Sequence, residues 1–265
     1  MSNWLTIYQV DAFTNQLFKG NPAAVVPLTE WLDDELLQKI AAENNLSETA
    51  FFALDEQGEL LLRWFTPTSE VELCGHATLA TAHVLFEEMG FGDDQITFQT
   101  KYKGPLTVTK ESEGYSMAFP NLKPEAVAEV PQAISSGLQL EISETLVSDD
   151  YLVVLPSEED VRAISPDFKI LAQLDRRGVI VTAPGKDVDF VSRYFAPAFG
   201  IDEDPVTGSA HCVSAPFWAE KLGKQTLTAR QVSEREGELA CIVSDQVVTL
   251  KGDAVLYMKG SILVA

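Results

Sequence analysis

The chain is short of cysteine, of histidine and of positive charge, and it has no long apolar run. Three cysteines (Cys74, Cys212 and Cys241) in 265 residues form an odd set without framework spacing. A disulfide scaffold is therefore not expected, and a reducing cytoplasm is the expected compartment. Lys and Arg total 19 against 40 Asp and Glu, a formal net charge of −21. That balance argues against nucleic acid and against an anionic membrane as partner, and otherwise reads as solubility. No apolar stretch approaches the roughly 18–20 residues of a membrane span. The opening MSNWLTIYQVDAFT lacks the basic head and apolar stretch of a secretory signal. Also missing are a strand-linked Gly-x-Gly-x-x-Gly, a Gly-Lys-Ser/Thr phosphate loop and any Cys/His cluster at metal spacing. No cofactor and no metal are expected on that ground.

What the chain has is a repeat. Residues 75–90, GHATLATAHVLFEEMG, align without gaps on residues 208–223, GSAHCVSAPFWAEKLG, at an offset of 133. They share Gly75/Gly208, Ala77/Ala210, Ala82/Ala215, Glu87/Glu220 and Gly90/Gly223. Upstream, Arg63-Trp64-Phe65-Thr66-Pro67 echoes Arg193-Tyr194-Phe195-Ala196-Pro197. A strand end leading to a glycine-led helix, twice, implies duplication of a half-molecule. Two such helices aimed tip to tip at one cleft would make an anion trap, because the first N–H groups of a helix have no acceptor within it.

A hydrophobic content of 46% supports two cores. Residues 1–119 are expected to form an N-terminal lobe, which the last C-terminal strand could complete. Residues 120–131, rich in proline and charge, read as a linker, and 132–265 as a C-terminal lobe. Alternation predicts an early strand at Trp4–Val10 and a short apolar run a second at Ala23–Val26; a hairpin is expected over Ala50–Leu54 and Leu60–Phe65, and a last strand over Ala254–Lys259. Apolar residues at Leu32, Leu36, Leu37, Ile40 and Ala41 predict a helix over Thr29–Glu43, capped by Thr29 or Asp33. The fold class is α+β: two pseudo-symmetric lobes, each a curved, mainly antiparallel, barrel-like sheet around one central helix.

Three segments carry candidate chemistry. In Leu73-Cys74-Gly75-His76-Ala77-Thr78, Gly75 permits close approach to the backbone, and His76 at a helix start is an anion donor or proton carrier; alone it would read as a capping or core histidine. In Asp202-Glu203-Asp204-Pro205-Val206-Thr207-Gly208-Ser209, Thr207 or Ser209 can cap the helix and Gly208 offers its N–H. Asp202 and Glu203 read as helix-end electrostatics, whereas Pro205 fixes Asp204 ahead of the glycine turn. In Asn45-Leu46-Ser47-Glu48-Thr49-Ala50-Phe51-Phe52, Glu48 is either a solvated strand start or a carboxylate desolvated by its aromatic neighbours.

At these motifs the chain resembles the PhzF-like isomerase family of phenazine biosynthesis. The matching stretches run in order over nearly the whole chain: Asp11-Ala12-Phe13-Thr14 with Gly20-Asn21-Pro22-Ala23-Ala24-Val25, Asn45 to Thr49, Cys74 to Thr78, and Asp204 to Ala210. The resemblance implies a diaminopimelate-epimerase-like fold. It implies Glu48 as principal acid/base, with His76 and Asp204 around the substrate. Gly75, Gly208 and Ser209 would bind its carboxylate, with Cys74 and Asn21 alongside. A homodimer is a further family expectation. Related amino-acid epimerases use two cysteines, one before each central helix. Here Cys74 is present, but the Asp204 segment holds the opposite position, so a two-thiol racemase is disfavoured.

The function expected is a cofactor-independent isomerase that shifts a proton on a small carboxylate-bearing metabolite by general acid/base catalysis. The alternatives are an amino-acid racemase or epimerase, and a small-molecule binding protein without chemistry.

Overall fold

The computed structural model describes residues 3–264, which fall into two compact units. The first runs to Met117 and takes back the chain from Gly252 onward; the second is Ala118–Lys251. Among the described residues no helix is long and apolar enough to cross a membrane.

The first unit contains β1 (Asn3–Ala12), β2 (Asn21–Pro27), α1 (Asp34–Asn44), β3 (Glu48–Leu54), β4 (Leu60–Phe65), β5 (Glu70–Val71), α2 (Gly75–His83), β6 (Gln95–Thr100), β7 (Leu106–Lys110) and most of β8 (Tyr115–Pro120). The second contains β9 (Glu125–Ala126), α3 (Gln132–Leu138), β10 (Glu144–Val147), β11 (Tyr151–Val154), α4 (Glu158–Ala163), α5 (Phe168–Leu171), β12 (Val179–Pro184), β13 (Phe190–Ala196), β14 (Ile201–Asp204), α6 (Gly208–Leu222), β15 (Thr226–Gln231), β16 (Gly237–Val243) and β17 (Val247–Gly252).

Pairing repeats strand for strand. In the first unit β1–β2 is antiparallel, β2–β3 parallel, β3–β4 and β4–β5 antiparallel, β4–β6 parallel and β6–β7 antiparallel. In the second, β10–β11, β11–β12, β12–β13, β13–β14, β13–β15 and β15–β16 follow with the same senses. A returning strand extends each sheet: Ala254–Val264 pairs with β1, and β9 pairs with β10. The repeated Arg-aromatic-Phe strand ends also match in detail. Arg63 forks onto Glu70 and lies 5.1 Å from the Phe65 ring centre; Arg193 forks onto Glu203 and lies 4.9 Å from Phe195.

One sheet face of the first unit packs Val26, Phe51 and Ala53 against Leu37, Ile40 and Ala41 of α1. In the second unit Val153, Val181 and Val191 pack in the same way on Ile134, Leu138, Val161 and Leu171 from the short helices. The central helix α2 is buried nearly all round, and α6 is largely buried up to Trp218, with its last turn exposed. Small residues make this possible in α2, where Thr78 and Thr81 return their hydroxyls to the carbonyls of Cys74 and Ala77. In α6, Pro216 has no N–H for the Cys212 carbonyl four residues back. The Leu122 N–H takes that carbonyl instead, at 3.1 Å.

The first helix differs from expectation. It begins at Asp34, not Thr29, after Asp33, whose side chain makes no cap; Trp31 and Leu32 pack against the core ahead of it. Segment 120–131 contains β9, too short for periodicity to reveal.

Candidate active site

The segments that hold the first unit's polar cluster end in tight turns. After Ala12 the chain loops back through Phe13 and Phe18, both at positive φ, to Gly20 at φ +66°. A Cβ at Gly20 would lie 2.2 Å from the Ala12 carbonyl oxygen, so only glycine can deliver Asn21 to the start of β2. At the end of α1, Asn45 adopts the left-handed conformation and closes the helix on Ala41. Asn44 then donates its amide to the Thr49 hydroxyl at 3.1 Å, tying the helix end to the start of β3. Because β2 and β3 run parallel with Ala23 opposite Glu48, Asn21 and Glu48 sit at the same end of the pair. Helix α2 packs on β1, β2 and β3 and brings its first turn there.

The result is a buried chain of contacts. His76 Nε2 lies 3.1 Å from Glu48 Oε2; His76 Nδ1 lies 3.4 Å from Cys74 Sγ and 3.3 Å from Asn21 Nδ2. Glu48, His76 and Cys74 are 8, 6 and 7% exposed, and Asn21 is fully buried. Glu48 is thus buried, not a solvated strand start. Glu48 Oε2 and His76 Nε2 face one another off hydrogen-bond alignment, and neither has another partner. Buried polar atoms left so are costly and mark places where a ligand completes the bonding.

Burial alone would lower the His76 pKa, but Cys74 and Glu48 outweigh it and hold the ring well above the usual histidine range. Cys74 is pushed up to about 11 by burial and by Glu48, so it is a thiol at neutral pH. Beside a neutral thiol, the Glu48 carboxylate is the charge that favours the imidazolium form. In that form Nε2–H faces Glu48 and Nδ1–H is available to the Cys74 sulfur. In the neutral ring Nδ1 accepts from Asn21 and Cys74, and the remaining proton stays beside Glu48.

Cys74 also occupies the N-cap position of α2 without a side-chain cap, and Gly75 opens the helix. The first-turn N–H groups thus emerge next to Glu48 and His76.

In the second unit Asp204 ends β14, and its carboxylate accepts a bond from the Thr207 hydroxyl at 2.5 Å. Neither Thr207 nor Ser209 caps α6: the hydroxyl of Thr207, the N-cap residue, donates to Asp204 and accepts from the Gln231 amide at 3.2 Å. Gly208 and Ser209 form the first turn. Gln231, fully buried at the end of β15, holds this turn from behind. Its amide donates to the Asp204 carbonyl at 2.6 Å, and its oxygen accepts from the Thr207 N–H at 2.8 Å. Sequence reasoning missed Gln231, since a lone glutamine at a strand end carries no signal. Cys212 is buried in α6, and His83 is half-buried against the Tyr115 hydroxyl at 2.9 Å.

The three histidines should titrate in a fixed order. Burial presses His211, whose Nδ1 is bonded to the Thr207 carbonyl, down to about 4. His83 is lowered by burial, and His76 is raised. Imidazole NMR over a pH series should show His211 last to protonate on acidification and His76 still charged above neutrality. The sign for stability follows. The folded state's preference for charged His76 stabilises fully below about pH 6.5 and is lost as pH rises through its folded pKa. Equal midpoints for His76 and His83 would contradict the arrangement.

A family model described as "Phenazine biosynthesis-like protein" (PhzC-PhzF) matches residues 10–260. A Pseudomonas aeruginosa protein named as an uncharacterized isomerase is 50% identical over 258 residues, covering 97% of this chain and 98% of that one. The crystal structure of a PhzF-family phenazine biosynthesis protein from Enterococcus faecalis superposes with a TM-score of 0.93 at 48% identity, covering 99% of each chain. A hydroxyproline epimerase from Agrobacterium vitis, at 9% identity, shares the fold alone with a TM-score of 0.64, over 98% of this chain and 93% of its own.

Proposed function

This chain belongs to the phenazine biosynthesis-like (PhzC-PhzF) family and is an isomerase, and we propose that it works without a cofactor, shifting a proton on a small carboxylate-bearing metabolite. The observation that carries this reading is the buried Glu48–His76 pair at 3.1 Å, whose facing atoms Oε2 and Nε2 are unaligned and have no hydrogen-bond partner among the described residues. Glu48 removes a proton from an acidified carbon and returns it elsewhere, and protonated His76 supplies the compensating charge. The first turn of α2, opened by Gly75, stabilises the negative charge that develops on the substrate. One well-aimed donor of this kind contributes about 3–4 kcal/mol to a transition state. In the second unit Gly208 and Ser209 open α6 with N–H groups of the same kind, which suit a carboxylate.

The Cys74 sulfur on the second ring nitrogen of His76 favours one other reading. In it, Glu48 and Cys74 are opposed bases of an epimerase.

The test begins with a thermal-shift screen of small amino and hydroxy carboxylates. Stabilising compounds are then incubated with the protein in D2O. Deuterium should enter the substrate at a second carbon with a moved double bond. Inversion at a single stereocentre would support the epimerase instead, and binding without exchange would leave a binding protein.

A further inference from the structure

Glu48, Cys74 and His76 bring together a carboxylate, a thiol and an imidazole, with one donor atom from each lying within 4.8 Å of the others and all three residues buried. We propose that they form a binding site for one soft divalent cation, Zn2+ by the chemistry of its donors, and that the ion inhibits the protein. Binding of the ion uses residues of the isomerase reading but does not depend on it, whereas the inhibition rests on that reading.

Four features argue for it. The donor set mixes nitrogen, sulfur and oxygen, which suits Zn2+ or Co2+ and not Mg2+ or Ca2+. Charge also balances: a divalent ion held by a carboxylate, a thiolate and a neutral imidazole leaves a net charge of zero, the condition a buried site requires. Spacing is close to what is needed. At zinc-ligand lengths of about 2.0–2.2 Å, nitrogen and oxygen on one tetrahedral ion lie about 3.3 Å apart, and His76 Nε2 and Glu48 Oε2 are 3.1 Å apart. Binding releases the Cys74 thiol proton and the His76 Nε2 proton to solvent, and the Cys74 sulfur, now against Nδ1, turns toward the ion by side-chain rotation. Finally, Glu48 Oε2 and His76 Nε2 are buried polar atoms whose bonding a cation would complete.

Three protein ligands leave a fourth position open, as in catalytic zinc sites. Here, however, the ion occupies the Glu48 oxygen that takes the substrate proton and replaces the proton on His76 Nε2. It therefore blocks acid/base work.

The test uses the full chain, freed of metal by dialysis against chelator and titrated with Co2+. One Co2+ per chain should bind, with the visible bands of four-coordinate cobalt and a near-ultraviolet thiolate-to-cobalt charge-transfer band. One equivalent of Zn2+ should abolish both. Cys74→Ser should lose the charge-transfer band, and Glu48→Gln should weaken binding by at least about tenfold. Cys212→Ser and Cys241→Ser should leave the spectrum unchanged. The wild-type spectrum alone tests the site if a variant misfolds, which circular dichroism would reveal. Absence of the charge-transfer band in wild type, or its survival in folded Cys74→Ser, overturns the proposal. In the metal-free protein, one equivalent of Zn2+ should abolish deuterium exchange, and exchange that survives it overturns the inhibition. Exchange without a cobalt band defeats this inference alone, and a cobalt band without exchange in the metal-free protein defeats the isomerase reading and the inhibition that rests on it but not the metal site.

Discussion

Glu48→Gln is expected to lower the rate of deuterium exchange by about 10²- to 10⁴-fold, the usual contribution of a positioned acid or base. Glutamine fills the same volume at the start of β3, and its amide can still face His76 Nε2, so the fold should persist. Two things are lost together. The amide cannot accept the substrate proton, and His76 loses the carboxylate that holds its charge against burial. The imidazole pKa should therefore fall in the same variant, which NMR reads independently of turnover. Ligand binding should survive in thermal shift, because the helix N–H groups are untouched. Exchange within about threefold of wild type would remove Glu48 from the chemistry.

The parts legible in the sequence were those with period or repetition. The 133-residue echo located both central helices, and the hairpin strand Leu60–Phe65 matches at both ends. The Arg63 and Arg193 echoes were visible, but their partners were not. Glu70 sits on a two-residue strand, and Glu203 lies in the run Asp202-Glu203-Asp204, which shows no apolar alternation although it forms β14. The last strand runs on to Val264 because Gly260 and Ser261, read as an ending, continue the register opposite Ile7 and Thr6. The cluster around His76 shows a different limit. A search for Cys/His at metal spacing cannot find it, because the parallel pairing of β2 and β3 is what carries Glu48 to Cys74 and His76. Likewise Gln231 meets Asp204 only through the β13–β15 and β13–β14 pairings.

Asp150→Ala should cost the second unit about 2–4 kcal/mol. Asp150 is fully buried between β10 and β11. Its carboxylate receives Arg177 through Nε at 3.0 Å and through Nη2, and the Tyr194 hydroxyl at 2.9 Å. Burial pushes the Tyr194 phenol up, and Asp150 adds to this, so the hydroxyl stays a donor. Alanine would strand a guanidinium and a buried phenol at once. Breaking a sealed ion pair costs about 3–5 kcal/mol; the Arg177 side chain is 38% exposed, so water recovers part of that here. Asp150→Asn keeps one acceptor for Tyr194 and should cost less than alanine. Removing both charges with Asp150→Leu/Arg177→Met should be milder than the sum of the single changes, because neither charge is then left alone. Urea denaturation of wild type, of these three variants and of Asp150→Leu and Arg177→Met alone, followed by circular dichroism and by Trp218, the only tryptophan of this unit, measures each loss. A cost below about 1 kcal/mol for Asp150→Ala would mean that water satisfies Arg177, and that the second unit does not depend on this pair.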